Sequence, residues 1–284
     1  MDIKSVCAAG GGTMGRQIAL NAAIFGYTAT VFDIKPEVCE DVVSWAEEYL
    51  GQRIAKGRLT AEAVAAVKER FFVKKDLKEA VEGADCVIEA VPENLEIKRD
   101  FFKQLDGLVG EDVILATNSS YMVSSLFADC VKNPLRLANM HYYHPALVMK
   151  FVEVVQGPHT APETCQALMD FCKSTGKTPI WMKKEIDGFA ANRIIRAIMA
   201  EAKWLVQNEY LSIEDMDLAC ENGLGHPMGP FRLLDLSGLD LIYDMMRAGY
   251  ERTGVKDDCH DLVEALVKQG KLGRKTGHGF YDYE

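Results

Sequence analysis

The feature that most constrains the fold is a glycine-rich stretch near the N-terminus, GGGTMG at residues 10–15. Gly10, Gly12 and Gly15 have the spacing Gly-x-Gly-x-x-Gly, between an apolar strand-like run and a segment of helical pattern. A second strand-like run then ends at Asp33, 18 residues after Gly15. A strand, a glycine turn, a helix and a second strand with an acidic end are typical of Rossmann-type dinucleotide-binding domains. The stretch therefore predicts such a domain at the start of the chain.

Each glycine of this stretch has a separate physical role. Gly10 permits a tight turn, Gly12 lets backbone N–H groups approach a pyrophosphate, and Gly15 lets the helix pack closely on the strand. The N-terminus of the helix adds partial positive charge. We therefore expect the whole stretch to bind the cofactor, through Gly10, Gly11, Gly12, Thr13, Met14 and Gly15.

The acid at the end of the second strand bears on the choice of cofactor. Asp33 would accept hydrogen bonds from the adenosine ribose hydroxyls, and its charge would repel a 2′-phosphate. This favours NAD over NADP, although Lys35 nearby weakens the preference. A glycine turn followed by a surface aspartate, with no ligand, is the structural alternative.

The first part of the chain alternates short apolar runs with segments of helical pattern, which predicts a parallel sheet with helices on both faces. Two of the later runs are separated by a short loop, so we expect them to pair with each other before a last strand. The strand-like runs are residues 4–10, 28–33, 70–75, 85–91, 112–120, 135–141, 151–157 and 178–183.

From about residue 188 the pattern becomes helical, and Ser212 has the Ser-x-x-Asp spacing of a helix start. We therefore predict an α/β chain with two domains: a Rossmann-type NAD-binding domain at 1–186 and an all-α C-terminal domain at 187–284. The helical segments are residues 188–210, 212–225, 229–254 and 259–273.

Composition excludes several classes of partner. The 284 residues carry a net charge of −10, which argues against nucleic acid because phosphate backbones bind basic surfaces. No run of about 18 apolar residues suggests a membrane span, and the N-terminus lacks the pattern of a signal peptide. The eight cysteines are scattered without Cys-x-x-Cys spacing. We therefore expect reduced thiols and a cytoplasmic protein.

Taken together, the motifs resemble those of the 3-hydroxyacyl-CoA dehydrogenases, and in particular the short bacterial 3-hydroxybutyryl-CoA dehydrogenases. The resemblance runs essentially from end to end. Besides the glycine stretch and Asp33, it rests on VIEAVPENLEIK at 87–98, NSS at 118–120, HYYHPALVMKFVEVV at 141–155, GFAANRI at 188–194, HPMGPFRLLDLSGLD at 226–240 and LGRKTGHGFYDY at 272–283. It implies an NAD-dependent enzyme that acts on short acyl-CoA thioesters and forms homodimers through its helical domain.

The resemblance also assigns roles to individual residues. It implies that His141 is the catalytic base and Glu153 its partner, and that Ser120 and Asn192 hold the substrate carbonyl region. The remaining assignments are cofactor contacts by Glu93, Lys98, Ser120, His144 and Lys275, and a contact of Lys56 with the CoA portion.

These roles agree with the chemistry of alcohol oxidation. Removing a hydride from a secondary alcohol also releases a proton, and histidine titrates in the range that suits a base near neutral pH. Glu153 could lie beside His141 if their segments form neighbouring strands. Ser120 follows a strand, and ligands of open parallel sheets bind at the carboxyl ends of the strands. Asn192, beyond the domain boundary, would make the site depend on domain closure.

The chain departs from the family pattern near these residues. The usual Asn-Thr-Ser-Ser segment is here Asn118-Ser119-Ser120-Tyr121, which leaves Ser119 as a rival for the functional serine. The usual His-Phe-Phe-Asn-Pro is His141-Tyr142-Tyr143-His144-Pro145, and Asp187 replaces a proline in the linker. These changes leave open a dehydrogenase of a non-CoA hydroxy acid, and also an NAD-binding protein without catalysis.

Structural roles are the alternatives for the individual residues. His141 could be a core histidine, Glu153 a solvent-facing acid, and Ser120 or Asn192 a turn or packing residue. Lys56 could be an ordinary solvated lysine, and His144 a stacked ring. A metal site at His141 and His144 is disfavoured, because no further ligand lies nearby at a suitable spacing.

Overall fold

In a computed structural model, residues 2–283 are described, with only the backbone at 248, 249, 252 and 253. The chain divides into two compact units, Met1–Ala190 and Ala191–Glu284. The first unit contains an eight-stranded sheet with the order β3-β2-β1-β4-β5-β6-β7-β8. Its strands are β1 (Ser5–Ala9), β2 (Thr28–Phe32), β3 (Phe71–Lys74), β4 (Cys86–Glu89), β5 (Ile114–Thr117), β6 (Leu137–Tyr142), β7 (Phe151–Val155) and β8 (Thr178–Met182).

The sheet agrees with the predicted pairing of strands. All neighbouring strands run parallel except β6 and β7, which are joined by a short connection and pair antiparallel. The strand order reverses direction at β1, between β2 and β4, and this is the crevice where open α/β sheets bind ligands.

Helices cover both faces of this sheet because the strands are apolar on both sides. Val6 and Ala8 pack in one buried cluster with residues of α1 and α6, whereas Cys7 and Ala9 pack in another with residues of α5. Neighbouring strand residues point to opposite faces, so the two clusters lie on the two sides of the sheet. The helices of this unit are α1 (Thr13–Ile24), α2 (Pro36–Ala55), α3 (Ala61–Lys68), α4 (Leu77–Val81), α5 (Leu95–Asp106) and α6 (Pro162–Ser174).

The second unit is helical, as its periodicity predicts. Ser212 caps α8 by accepting a hydrogen bond from the backbone N–H of Asp215 at 3.0 Å, and Gly238, with φ of 97°, separates α9 from α10. The helices are α7 (Ala191–Gln207), α8 (Ile213–Leu218), α9 (Pro230–Ser237), α10 (Leu239–Thr253) and α11 (His260–Lys268). Among the described residues, no helix is both long and apolar enough to cross a membrane.

The C-terminal tail is held by a buried acid of this helical unit. Asp235 accepts hydrogen bonds from the backbone N–H groups of Phe280 and Tyr281 at 2.9 and 3.0 Å, and from the Tyr283 hydroxyl at 2.8 Å. A buried carboxylate is retained only where such donors compensate for the loss of water. The tail therefore packs as part of the second unit.

Candidate active site

His141 and Glu153 form a buried pair across two strands. They are directly opposite each other in the antiparallel β6–β7 ladder, so their side chains leave the same face of the sheet. His141 Nδ1 lies 2.9 Å from Glu153 Oε2. His141 is 3% exposed and Glu153 fully buried. A carboxylate in this place accepts the Nδ1 hydrogen, which leaves Nε2 as the nitrogen that exchanges a proton.

The second nitrogen of this imidazole, Nε2, faces the loop after β5. Ser120 Oγ lies 3.1 Å from His141 Nε2. The rival serine points elsewhere: Ser119 is buried, and its hydroxyl contacts Glu93 while accepting the backbone N–H of Met122 at 2.8 Å. The geometry therefore favours Ser120 over Ser119 as the hydroxyl that faces a substrate beside His141.

The glycine loop has the geometry that a dinucleotide needs. Gly10 has φ of 117°, and a Cβ there would collide with the carbonyl oxygen of Ala90. A Cβ on Gly15 would likewise collide with the carbonyl of Gly10, whereas at Gly12 a Cβ would meet open space. The close contacts hold the loop tight against β4. The open face at Gly12 leaves room for a phosphate group at the N-terminus of α1.

The loop is tied to the acid at the end of β2. Gly11 donates its backbone N–H to Asp33 Oδ2 at 2.8 Å, and Lys35 donates its own to Asp33 Oδ1 at 2.9 Å. These two bonds orient the carboxylate, which keeps further lone pairs for ribose hydroxyls. The glycine loop and this oriented carboxylate together fit an adenine dinucleotide.

A buried ion-pair network lies beside Ser119. Glu93 and Lys98 of this network were named from the sequence, but Glu89 was not. Lys98 Nζ lies 2.6 Å from Glu89 Oε1 and 3.0 Å from Glu93 Oε2, and Thr117 donates to Glu89 Oε2 at 2.6 Å. Burial raises the pKa of the Glu89 carboxyl, and the charge of Lys98 opposes that shift. A glutamate inside the apolar run CVIEAV, nine residues before a lysine, was the available signal. The network holds Glu93, which in turn holds Ser119.

Some of these groups line a cavity of about 230 Å³ in the first unit. It extends from the start of α1 to the loop after β5, so it joins the glycine loop to the serine beside His141. Its walls are Met14, Ala90, Val91, Glu93, Lys98, Asn118, Ser119, Ser120 and Tyr121.

The other residues named from the sequence occupy more peripheral places. Lys56 is exposed at the C-terminal end of α2, and His144 is exposed just after β6. In the second unit, Asn192 lies in the first turn of α7. Lys275 Nζ is 2.6 Å from each carboxylate oxygen of Asp240. Cofactor or substrate contacts by these four residues stay predictions.

Two family models match the chain in succession. Residues 5–186 match the NAD binding domain of 3-hydroxyacyl-CoA dehydrogenase, and residues 188–283 match its C-terminal domain. The chain belongs to the 3-hydroxyacyl-CoA dehydrogenase family. The resemblance drawn from the motifs is thereby confirmed, as are the α/β fold class with its helical second part and NAD as the cofactor.

Relatives within this family differ in their substrates. A probable 3-hydroxybutyryl-CoA dehydrogenase of Bacillus subtilis is 36% identical over 100% of this chain and 99% of its own length. The crystal structure of an (S)-3-hydroxybutyryl-CoA dehydrogenase from Ralstonia eutropha has a TM-score of 0.88 and 33% identity over the full length of both chains. A 5-formyl-3-hydroxy-2-methylpyridine 4-carboxylate 5-dehydrogenase of Mesorhizobium japonicum is 33% identical over 99% of this chain and 91% of the relative.

Proposed function

We propose that this protein interconverts (S)-3-hydroxybutyryl-CoA and acetoacetyl-CoA, or similarly short 3-hydroxyacyl-CoA and 3-ketoacyl-CoA pairs, with NAD(H). The observation that carries the proposal is the buried His141–Glu153 pair, whose other imidazole nitrogen, Nε2, faces Ser120 in the cavity wall. Bound NAD supplies the hydride acceptor for the oxidation. The chain itself must supply a base, hold the substrate oxygen and keep water away from it.

His141 serves as the base at its Nε2 atom. In oxidation it takes the proton of the substrate hydroxyl, and in reduction it returns a proton to the ketone oxygen. Glu153 holds the ring in the tautomer with hydrogen on Nδ1 and stabilises the positive charge that the ring acquires. Because both side chains are buried, this electrostatic stabilisation is stronger than it would be in water.

Polar groups around the imidazole position the substrate in this proposal. Ser120 donates its hydroxyl hydrogen to the substrate oxygen, next to the nitrogen that exchanges the proton. Asn192 contributes its amide to the carbonyl region from the second unit, and Lys56 attracts the phosphates of the CoA portion. Asp33, Glu93, Lys98, His144 and Lys275 are proposed as contacts of the cofactor, with Asp33 setting a preference for NAD over NADP.

Oxidation of NADH, followed by absorbance, tests this proposal. The purified protein is given acetoacetyl-CoA and longer 3-ketoacyl-CoA thioesters, with NADPH in a parallel series. We expect turnover with NADH that is fastest for the short thioesters and much slower with NADPH. No turnover of any acyl-CoA thioester would refute the proposed substrate class.

A second candidate keeps the fold and the base but uses a hydroxy acid that is not a CoA thioester. It is favoured by the exposed His144 and by Tyr121 in the cavity wall, where the chain departs from the family pattern. The Mesorhizobium relative, named for a pyridine substrate, indicates that such a change occurs within the family. Activity with free hydroxy acids but not with thioesters would establish it.

We also propose a cytoplasmic homodimer that assembles through the helical unit. The family resemblance and the exposed apolar side chains of that unit, such as Ile194, Leu218 and Leu224, support this assembly. Light scattering coupled to size-exclusion chromatography tests it, and a monomer mass at micromolar concentration would refute it.

A further inference from the structure

The carboxylate of Glu153 accepts hydrogen bonds from more than its histidine. The hydroxyl of Tyr143 donates to Glu153 Oε2 at 3.0 Å, and that same oxygen lies 2.9 Å from His141 Nδ1. The backbone N–H of Ala190 donates to the other oxygen, Oε1, at 2.9 Å. The imidazole and the phenol therefore share one oxygen atom of a fully buried charge.

Tyr143 also packs against the imidazole whose acceptor it shares. The two ring centroids are 4.6 Å apart, and the ring centroid of Tyr143 lies 5.3 Å from that of Phe151. Burial, and after it the charge of Glu153, raises the pKa of Tyr143, so its hydroxyl stays protonated and acts as the donor. The preceding residue, Tyr142, packs in the apolar cluster on the opposite face, where its hydroxyl contacts Cys172.

We propose that Tyr143 is a positioning residue that sets the pH range in which His141 exchanges its proton. A carboxylate oxygen that already accepts the phenol hydrogen stabilises a neighbouring imidazolium less than a carboxylate without that bond. Tyr143 therefore favours the neutral ring, which is the form that takes a proton in oxidation. This inference rests on the proposed role of His141 as the acid–base group.

Other ionisable or aromatic groups near this cluster must be held constant when the effect of Tyr143 is measured. Glu153 comes from β7 and Tyr121 from the loop after β5, and the exposed His144 is the next residue after Tyr143 in the chain. The segment before the second unit contributes an apolar ring, Phe189, 5.4 Å from His141. His144 is a second imidazole in this segment, so its contribution must be separated by substitution.

The test compares Tyr143→Phe with wild type and with a matched control, Tyr142→Phe. The pH dependence of kcat for acetoacetyl-CoA reduction is measured for each, and again in a His144→Asn background. We expect the midpoint pH of the kcat profile, above which the reduction slows, to rise by about 0.5–1 pH unit in Tyr143→Phe. In Tyr142→Phe the midpoint stays at the wild-type pH, because that hydroxyl does not touch Glu153.

An NMR titration of the His141 imidazole, recorded without substrate, separates this inference from the proposed function. The same upward shift in Tyr143→Phe supports the role of Tyr143 even if no acyl-CoA thioester is turned over. Equal midpoints in Tyr143→Phe and wild type, by both measurements, would overturn the inference. A downward shift would overturn it as well, because it would show that the phenol favours the protonated ring.

Discussion

Replacing Glu153 by glutamine removes the charge opposite His141 while keeping almost the same side-chain shape. Glu153 offers two acceptor oxygens, one to His141 Nδ1 and Tyr143, and the other to the backbone N–H of Ala190. Glutamine has a single acceptor oxygen. If this oxygen faces Ala190, the amide N–H₂ faces His141 and favours the tautomer that carries hydrogen on Nε2, which cannot take a proton there. If the glutamine oxygen faces His141 instead, the amide N–H₂ of the glutamine meets the backbone N–H of Ala190, and neither donor has an acceptor there.

The structure therefore predicts a large loss of turnover in either orientation. In the first orientation His141 is held in the inactive tautomer, which removes general-base catalysis. In the second, the imidazolium loses the charge opposite it and the Ala190 N–H loses its acceptor; loss of a hydrogen bond to a charged group costs about 1.5–3 kcal/mol. We expect kcat to fall by about 10²–10⁴-fold, which corresponds to about 3–5 kcal/mol. NADH affinity should stay nearly unchanged, because the glycine loop does not include Glu153.

Steady-state reduction of acetoacetyl-CoA and NADH fluorescence titration measure the two quantities. Glu163→Gln is a suitable control, since Glu163 is exposed at the start of α6 and lies outside the candidate site. A kcat of Glu153→Gln within a few-fold of wild type at the same pH would refute the reasoning. Circular dichroism of the variant distinguishes a catalytic defect from misfolding.

Three further predictions concern the same unit. His141→Ala should lower kcat by at least about 10²-fold with nearly unchanged NADH affinity in fluorescence titration; retained activity would remove His141 from the mechanism. His144→Asn should keep most of the activity, because His144 is exposed and asparagine is usual in the family; a loss as deep as that of His141→Ala would contradict this. Lys98→Met should lower the free energy of unfolding in urea by about 3–5 kcal/mol, because Glu89 would stay buried without a cation. Adding Glu89→Gln should recover part of that loss, and an equally unstable double variant would contradict the pairing.

Much of the first unit could be predicted from local sequence. Each of the eight strand-like runs overlaps one strand of the sheet, because buried strands of a parallel sheet need continuous apolar runs between turn residues. The glycine loop was equally predictable, since Gly10 has a φ of 117°, a local backbone conformation that glycine adopts readily and other residues rarely do. Sequence patterns of this kind report constraints that act over a few neighbouring residues.

The pairing of functional groups was less accessible to the sequence. The twelve residues between His141 and Glu153 allow many arrangements, and only the register of β6 against β7 makes them direct neighbours. Ser119 and Ser120 are chemically identical, so only the course of the loop after β5 separates the one that faces Glu93 from the one that faces His141.

Sequence alone determined that the chain begins with a cofactor-binding α/β unit, ends with a helical unit, and carries a histidine, a glutamate and a serine suited to alcohol oxidation. Tertiary structure decided which oxygen faces which nitrogen. It brought Tyr143 onto the carboxylate of Glu153 and enclosed Glu89 with Lys98. The physical reason is distance: strand and helix patterns depend on near neighbours in the chain, whereas hydrogen bonds in a buried site depend on strand register and packing between distant segments.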